Sequence, residues 1–147
     1  FCDIKRIFDP LDLMNPRKIV NTERMTENLR YQTPGYEQNA KKSESKALYR
    51  YADQGGLQLA IEQCNGVGAC RKLGSGTMCP SYMATRDEHH STRGRANALR
   101  LAMSGQLGKD PIESLASDGV DDCMSLCLAC KACKTECPNA VDMAKLK

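Results

Sequence analysis

Apolar residues recur at helical spacing in the second half of the chain, and no alternating strand pattern occurs after residue 55. The strongest pattern predicts a helix over residues 87–106, ending at Gly105 or Gly108. Its apolar positions fall at i, i+3 and i+7: Ala96, Leu99 and Met103. Its other faces carry three arginines: Arg93, Arg95 and Arg100.

Three shorter helices complete the predicted set. One precedes Cys64, where LQLAIEQ would deliver the first thiol of a cysteine block. A second is predicted from about Ile112 to Cys127, with Leu115, Met124 and Leu126 as core candidates, and a third begins at Pro138. The predicted fold class is therefore mainly α, a helical ferredoxin-like iron–sulfur domain if the cysteines discussed below hold a cluster.

The first 55 residues show weaker patterns. Residues 1–20 contain two turn-forming dipeptides, Asp9-Pro10 and Asn15-Pro16, and Ile19-Val20 could begin a short strand. Residues 21–55 are polar and aperiodic, so we interpret them as a linker or arm on a partner domain and assign them no firm structure. The predicted organisation is a domain tail (1–20), this linker (21–55) and a helical domain (56–147), together an excerpt of a longer protein.

Composition and charge exclude several classes of function. The 21 basic and 18 acidic residues leave a net charge of +3, too close to balance to indicate nucleic-acid binding. No stretch approaches the roughly 20 apolar residues that span a bilayer, and the first residues do not form a signal peptide. We expect a cytoplasmic protein, at most peripheral to the inner membrane.

Cysteines dominate the candidate chemistry, because eight of the nine lie in two short blocks. Residues 127–138, CLACKACKTECP, have the CxxCxxCxxxCP spacing of bacterial ferredoxins. A straight helix would spread these thiolates around its axis, whereas a backbone that curls at the two-residue spacers directs them to one cubane. The candidate iron ligands of this run are Cys127, Cys130, Cys133 and Cys137.

The first block ends in a second Cys-Pro pair, Cys79-Pro80. In two-cluster ferredoxins the last cysteine of each run serves the other cluster. This rule groups Cys79 with the first three cysteines of the run to complete one [4Fe–4S] cluster. The thiols left for a second site are Cys64, Cys70 and Cys137.

The second site is one thiolate short, because Val67 stands where a regular run has its middle cysteine. Cys123 could supply the fourth ligand, or the site could hold a [3Fe–4S] cluster, use another residue type or be empty. Cys123 is equally well interpreted as a buried core residue, and Cys2 as a free thiol. The predicted cofactor is thus one or two [4Fe–4S] clusters.

Two other uses of the cysteines compete with this interpretation. Disulfides belong mainly to secreted chains, and the spacing here is metal-like. Two tetrahedral zinc sites would also consume eight thiolates, so a zinc-stabilised interaction module without redox function is the alternative. His89 and His90 are interpreted as solvent-facing. The segment STRGR (91–95) is interpreted either as a solvated face of the helix or as a place where Arg93 or Arg95 offsets the charge of a nearby cluster and raises its reduction potential.

Several segments together resemble FAD-linked D-2-hydroxyacid dehydrogenases fused to a ferredoxin-type domain, the D-2-hydroxyglutarate, D-lactate and glycolate-oxidase-like group. These segments are FDPLDLMNPRKI (8–19), CNGVGACRK (64–72), MCPSY (78–82), ATRDE (84–88), STRGRA (91–96) and the cysteine run. The chain resembles the junction and iron–sulfur part of such enzymes.

The resemblance implies that the intact protein oxidises a D-2-hydroxy acid at FAD. Electrons would then pass through these clusters to a quinone or a carrier protein. An upstream FAD domain of the same polypeptide would be a partner, and Asn15 would lie near the FAD. The excerpt alone would have no dehydrogenase activity.

Overall fold

The computed structural model describes residues 1–30 and 35–147 and forms two compact units, Phe1–Thr33 and Pro34–Lys147. Within those described residues the regular structure is helical and no strand occurs, which confirms the mainly α prediction. No helix in the described ranges is long and apolar enough to cross a membrane.

In the first unit, described over residues 1–30, the helix α1 (Cys2–Phe8) is followed by turns. Among residues 1–30 only Asp9 is buried; its carboxylate accepts the amide hydrogens of Leu13 and Met14 at 2.9 and 2.8 Å. The strand expected at Ile19-Val20 is wrong, because Arg17 and Asn21 adopt positive φ on either side of it. Residues 1–30 therefore form no apolar core of their own.

The second unit packs eight α-helices around one core: α2 (Tyr36–Glu44), α3 (Leu57–Glu62), α4 (Pro80–Thr85), α5 (Thr92–Met103), α6 (Pro111–Leu115), α7 (Asp118–Ser125), α8 (Ala132–Glu136) and α9 (Met143–Leu146). Short 3₁₀ turns precede several of them: Ala52–Gln54, Ala69–Arg71 and Glu88–His90. Helix α5 contacts α2, α3, α6, α7 and α9, so it is the central element.

Helix α2 forms inside the stretch predicted to be a linker. It buries Tyr36, Ala40 and Ser43, spaced at i, i+4 and i+7, against the same core as α3. Polar residues on its other faces concealed this narrow stripe in the sequence. Residues 31–34 of the predicted linker lie outside the described residues.

Helix α5 corresponds to the helix predicted over 87–106, and Ala96, Leu99 and Met103 are buried as expected. The outward placement of its arginines is wrong for two of the three. Arg95 is 1% exposed and Arg100 is also buried. Buried polar partners described below explain why Arg95 tolerates this position.

The remaining boundaries differ from the predictions for local reasons. The helix predicted over 112–127 is divided into α6 and α7, because Ser117 is extended (ψ 150°) and caps the second helix. Leu126, a core candidate, is 44% exposed. Pro138 begins no helix: Ala140 at φ 50° interrupts the chain, and α9 begins only at Met143.

Candidate metal centre

The cysteine run curls where its two-residue spacers predict. Ala129 and Lys131 adopt positive φ (50° and 62°), so the backbone turns twice between Cys127 and Cys133 before α8 begins. Non-glycine residues rarely adopt this conformation, and it persists where surrounding structure requires it. The local shape of the run therefore matches a backbone that wraps around a cofactor.

A first cavity gathers four cysteines from two distant parts of the chain. Its walls include Cys79, at the start of α4, and the first three thiols of the run: Cys127, Cys130 and Cys133. Met78 and Met143 add apolar surface that excludes water. This is the set that the Cys-Pro rule groups around one cluster.

A second cavity gathers the three remaining predicted ligands: Cys64, Cys70 and Cys137. Cys64 follows α3, Cys70 lies in the 3₁₀ turn Ala69–Arg71 and Cys137 follows α8. The fourth thiol of the run thus turns away from the first three. All seven predicted metal-site cysteines line one or the other cavity, divided as the sequence predicts.

Arg95 is the charged group closest to the first set of thiols in the hydrogen-bond network. Its Nη1 lies 3.4 Å from Cys79 Sγ, Nη2 donates to Ser81 Oγ at 3.0 Å and Nε donates to the Cys123 carbonyl at 2.7 Å. Burial raises the pKa of Cys79, but hydrogen bonds from Ser81 and Tyr82 and the charge of Arg95 together lower that pKa below its ordinary value. The Cys79 thiol is therefore more acidic than an ordinary cysteine.

Burial is the main influence on the pKa of two other thiols. Burial raises the pKa of Cys70 despite a hydrogen bond from the Arg93 amide, whose N lies 3.4 Å from Cys70 Sγ. Burial likewise raises the pKa of Cys133. Metal ions compete with protons for these thiols, so metal loading supplies the free energy that ionises them.

Arg93 lies at the second cavity, and its side chain shares the Glu88 carboxylate with Arg71, whose Nε lies 3.1 Å from Oε2. Nε and Nη2 donate to the two Glu88 oxygens at 2.7 and 3.0 Å, and Nη1 donates to the Gly66 carbonyl at 3.0 Å. The pKa of Glu88 is lowered, chiefly by the hydrogen bond from Arg93. Arg93 therefore contributes its backbone amide to Cys70 while its cation is paired elsewhere.

The N-terminus of α5 lies between the two cavities, and Thr92 lines both of them. Ser91 caps the helix, accepting the Gly94 amide at 2.9 Å and donating to the Glu88 carbonyl at 2.8 Å. A Cβ on Gly94 would lie 2.0 Å from that carbonyl oxygen, so only glycine fits. The positive end of the helix dipole faces both sets of thiols, where negative charge is stabilised.

Glu136 connects the loop before Cys79 to the cysteine run. Its carboxylate accepts hydrogen bonds from the Thr77 amide (2.7 Å), the Thr77 hydroxyl (2.6 Å), the Met78 amide (3.3 Å) and the Lys72 ammonium. Bonds from Lys72 and Thr77 lower the pKa of Glu136 to about 2. Sequence reasoning missed this residue, although its position directly before Cys137 was a signal.

Cys123 and both histidines of the second unit are absent from the walls of the two cavities. Cys123 lines neither cavity; its Sγ lies 3.7 Å from Nδ1 of His89. Cys2 is exposed in the first unit, and none of the nine cysteines forms a disulfide. His89 and His90 are half-buried, not solvent-facing as predicted.

The geometry does not resemble a site for a single ion. Within residues 1–30 and 35–147, no three His, Cys, Asp or Glu side chains converge closely enough to hold one metal ion. Tetrahedral zinc requires sulfurs that all lie about 2.3 Å from one centre. Thiols spread around a cavity suit a polynuclear cluster better, and sulfur is the donor that iron–sulfur clusters require.

Asn15, predicted to lie near FAD, belongs to the first unit and adopts φ 50°. It lines a shallow hollow of about 300 Å³ whose other walls include the apolar side chains of Phe1, Ile4 and Phe8. Many large apolar residues of this unit are exposed: Phe1, Ile4, Ile7, Phe8, Leu11, Leu13, Met14, Ile19 and Met25. Such a surface is typical of a segment that packs against another domain.

Residues 60–141 match the family of 4Fe-4S dicluster domains. A D-2-hydroxyglutarate dehydrogenase of Pantoea ananatis is 31% identical, the alignment covering 95% of this chain and 16% of the relative. A second D-2-hydroxyglutarate dehydrogenase, from Escherichia coli, is 27% identical over 98% of the chain and 17% of the relative. A probable glycolate oxidase iron-sulfur subunit of Bacillus subtilis is 33% identical over 46% of the chain and 14% of its own length. The chain spans about a sixth of the two dehydrogenases, and no solved structure matches it significantly.

Proposed function

The chain belongs to the family of 4Fe-4S dicluster domains, and we propose that it relays electrons through iron–sulfur clusters held by its two sets of cysteines. The observation that carries this proposal is the division of seven thiols between two cavities on either side of the α5 N-terminus. Cys79, Cys127, Cys130 and Cys133 would hold a complete [4Fe–4S] cluster. A bound cluster supplies one-electron chemistry, and the protein supplies thiolates, hydrogen bonds and charge that set its potential.

The second site would be held by three thiolates: Cys64, Cys70 and Cys137. Its donor set also fits a cluster, because the thiols of Cys64 and Cys70 are buried and the Arg93 amide donates to one of their sulfurs. Hydrogen bonds from backbone amides stabilise the negative charge of such clusters. The two cavities share Thr92, so the clusters would be close neighbours.

The names of the relatives suggest the kind of enzyme in which this electron relay operates. We propose that the intact protein is an FAD-dependent D-2-hydroxyacid dehydrogenase, a cytoplasmic oxidoreductase. A two-electron oxidation at the flavin would be divided into single-electron steps that lead to a quinone or a carrier protein. The exposed apolar side chains of the first unit support its packing against the FAD domain, with Asn15 near the flavin.

The experiment is an anaerobic preparation of the chain with iron and sulfide analysis. We expect a broad visible absorption band that dithionite bleaches, because iron–sulfur clusters absorb visible light and lose intensity on reduction. Zinc thiolates are colourless, so the zinc-stabilised interaction module predicts no band. A folded, zinc-loaded and colourless chain would overturn the electron-transfer proposal.

A further inference from the structure

We infer that the cluster at the second site has one iron that no cysteine of the chain ligates, so this iron exchanges with solution. The inference rests on the proposed iron–sulfur function and specifies the cluster at one of its two sites. It begins from the donor groups of the cavity that Cys64, Cys70 and Cys137 line. A cubane has four iron corners, and three thiolates leave one corner without a cysteine.

No other strong iron ligand lines this cavity among residues 1–30 and 35–147, since its remaining walls carry neither a carboxylate nor an imidazole. Residues 31–34, Tyr-Gln-Thr-Pro, have no thiol, carboxylate or imidazole to contribute. The Arg93 guanidinium offers no lone pair. The Asn65 side-chain oxygen accepts the Val67 amide at 3.0 Å, which leaves only neutral amide and hydroxyl oxygens near the open corner.

The extra thiols of the chain do not complete the set. Cys123 lies against His89 and lines neither cavity, and its carbonyl is held by the buried Arg95 side chain. That hydrogen bond and the helical position of Cys123 in α7 oppose a movement of its sulfur to the second cavity. Cys2 lies outside residues 60–141, the part of the chain that matches the dicluster-domain family.

Val67 marks where the fourth ligand is missing. It lies three residues after Cys64 and three before Cys70, the spacing that Cys127, Cys130 and Cys133 have, and its side chain lines the second cavity. Val67 is also 64% exposed, so this corner of the site faces solvent. Iron at an exposed corner held by solvent leaves more readily than iron held by a buried thiolate.

The predicted reaction is a one-electron oxidation by an added oxidant such as ferricyanide. A [4Fe–4S]²⁺ cluster gives [3Fe–4S]⁺ and Fe²⁺, and the released electron reduces ferricyanide to ferrocyanide. Ferrous iron together with dithionite reverses the change. The complete cluster at the first site, with four thiolates, resists the same treatment.

The test uses the anaerobically reconstituted 147-residue chain. Brief ferricyanide treatment followed by desalting is expected to lower the iron content from about eight to about seven per chain. It is also expected to produce the EPR signal of an oxidised three-iron cluster at about one spin per chain, and ferrous iron with dithionite should reverse this signal.

Val67→Cys restores the regular spacing, so this variant should retain its iron and show little of the three-iron signal. Cys123→Ser and Cys2→Ser should behave like the unmodified chain.

Several results would overturn the inference. One is that the fully loaded chain keeps all its iron after ferricyanide treatment and shows no three-iron EPR signal, whereas Cys123→Ser or Cys2→Ser does show that signal after the same treatment. Another is a three-iron signal that persists in Cys70→Ser, which would assign the labile iron to the first site. A chain that binds about four irons, all retained in Cys70→Ser, would leave the iron–sulfur function standing while removing the second cluster. A chain that binds no iron would overturn both.

Discussion

Arg95→Gln tests whether a buried cation sets the potential of the cluster proposed for the first cavity. Arg95 is 1% exposed, and its Nη1 lies 3.4 Å from the sulfur of Cys79. Reduction adds one negative charge to a cluster, so a neighbouring cation stabilises the reduced state. Removing that cation should lower the midpoint potential.

The magnitude follows from the distance over which the charges interact. The added electron is spread over the cluster, so the relevant separation is larger than the sulfur contact, about 6 Å. Coulomb's law with an effective dielectric constant of about 20 gives about 2.8 kcal/mol at that separation. This is about two factors of ten in the redox equilibrium, or about 120 mV for a one-electron couple.

The assay is a redox titration followed by EPR, with iron content and circular dichroism measured on each variant. We expect one of two midpoint potentials to fall by about 100 mV in Arg95→Gln. Arg95→Lys retains the charge and should shift less. Arg100→Gln removes a charge from the same helix about 7.5 Å farther along the axis and serves as the matched control.

A fully loaded, folded Arg95→Gln chain with an unchanged potential would refute this reasoning. Loss of iron from Arg95→Gln alone would instead indicate that its hydrogen bonds to Ser81 and the Cys123 carbonyl hold the site together. In that case Arg95→Lys, which preserves the charge, decides whether the potential depends on charge.

Three further substitutions test neighbouring features. Arg93→Gln should lower one of the two midpoint potentials in the same titration, because the Arg93 guanidinium interacts electrostatically with Cys64 and Cys70; unchanged potentials would contradict this. Glu136→Gln should lose iron to a chelator several-fold faster than the exposed control Glu113→Gln, because the loop before Cys79 is released; equal rates would contradict this. Gly94→Ala should lower the free energy of unfolding by about 2 kcal/mol in chemical denaturation, because its Cβ would meet the Glu88 carbonyl. In contrast, Gly119→Ala in α7 meets nothing within 4 Å and should be neutral or stabilising.

The sequence predicted the parts of the site that depend on local spacing. Each of Cys79 and Cys137 stands before a proline, and this position assigned it to the set of thiols formed mainly by the other cysteine block. Each of the two lines the cavity expected for it. The buried face of α5 followed equally well from the period of its apolar residues. Spacing along a chain is a local constraint, so a single sequence is enough to predict which cysteines share a site and which face of a helix is buried.

Features that depend on distant partners were not predictable in the same way. Arg95 looked like a solvent-facing residue because the acceptors that satisfy its guanidinium come from segments 14 and 28 residues away. Glu136 acquires its role from Thr77, 59 residues earlier. The hydrophobic pattern of a sequence predicts that polar residues are exposed to solvent. Only the folded chain shows which polar residues are buried with hydrogen-bond partners.

The segment STRGR at 91–95 shows how one helix end could serve both of the proposed clusters. Thr92 lines both cavities, the Arg93 amide donates to Cys70, and Arg95 donates to Cys79. None of the three groups to which Arg95 donates is a carboxylate, whereas the Arg93 cation is paired with Glu88. Arg71 also pairs with Glu88, but Arg71, Arg93 and Glu88 are partly exposed and solvent screens their charges, whereas Arg95 is buried, so we expect the potential of the first cluster to be the higher of the two. Electrons would then run from the second cluster to the first, and a Cys70→Ser chain that retains only the lower of two midpoint potentials would contradict this order.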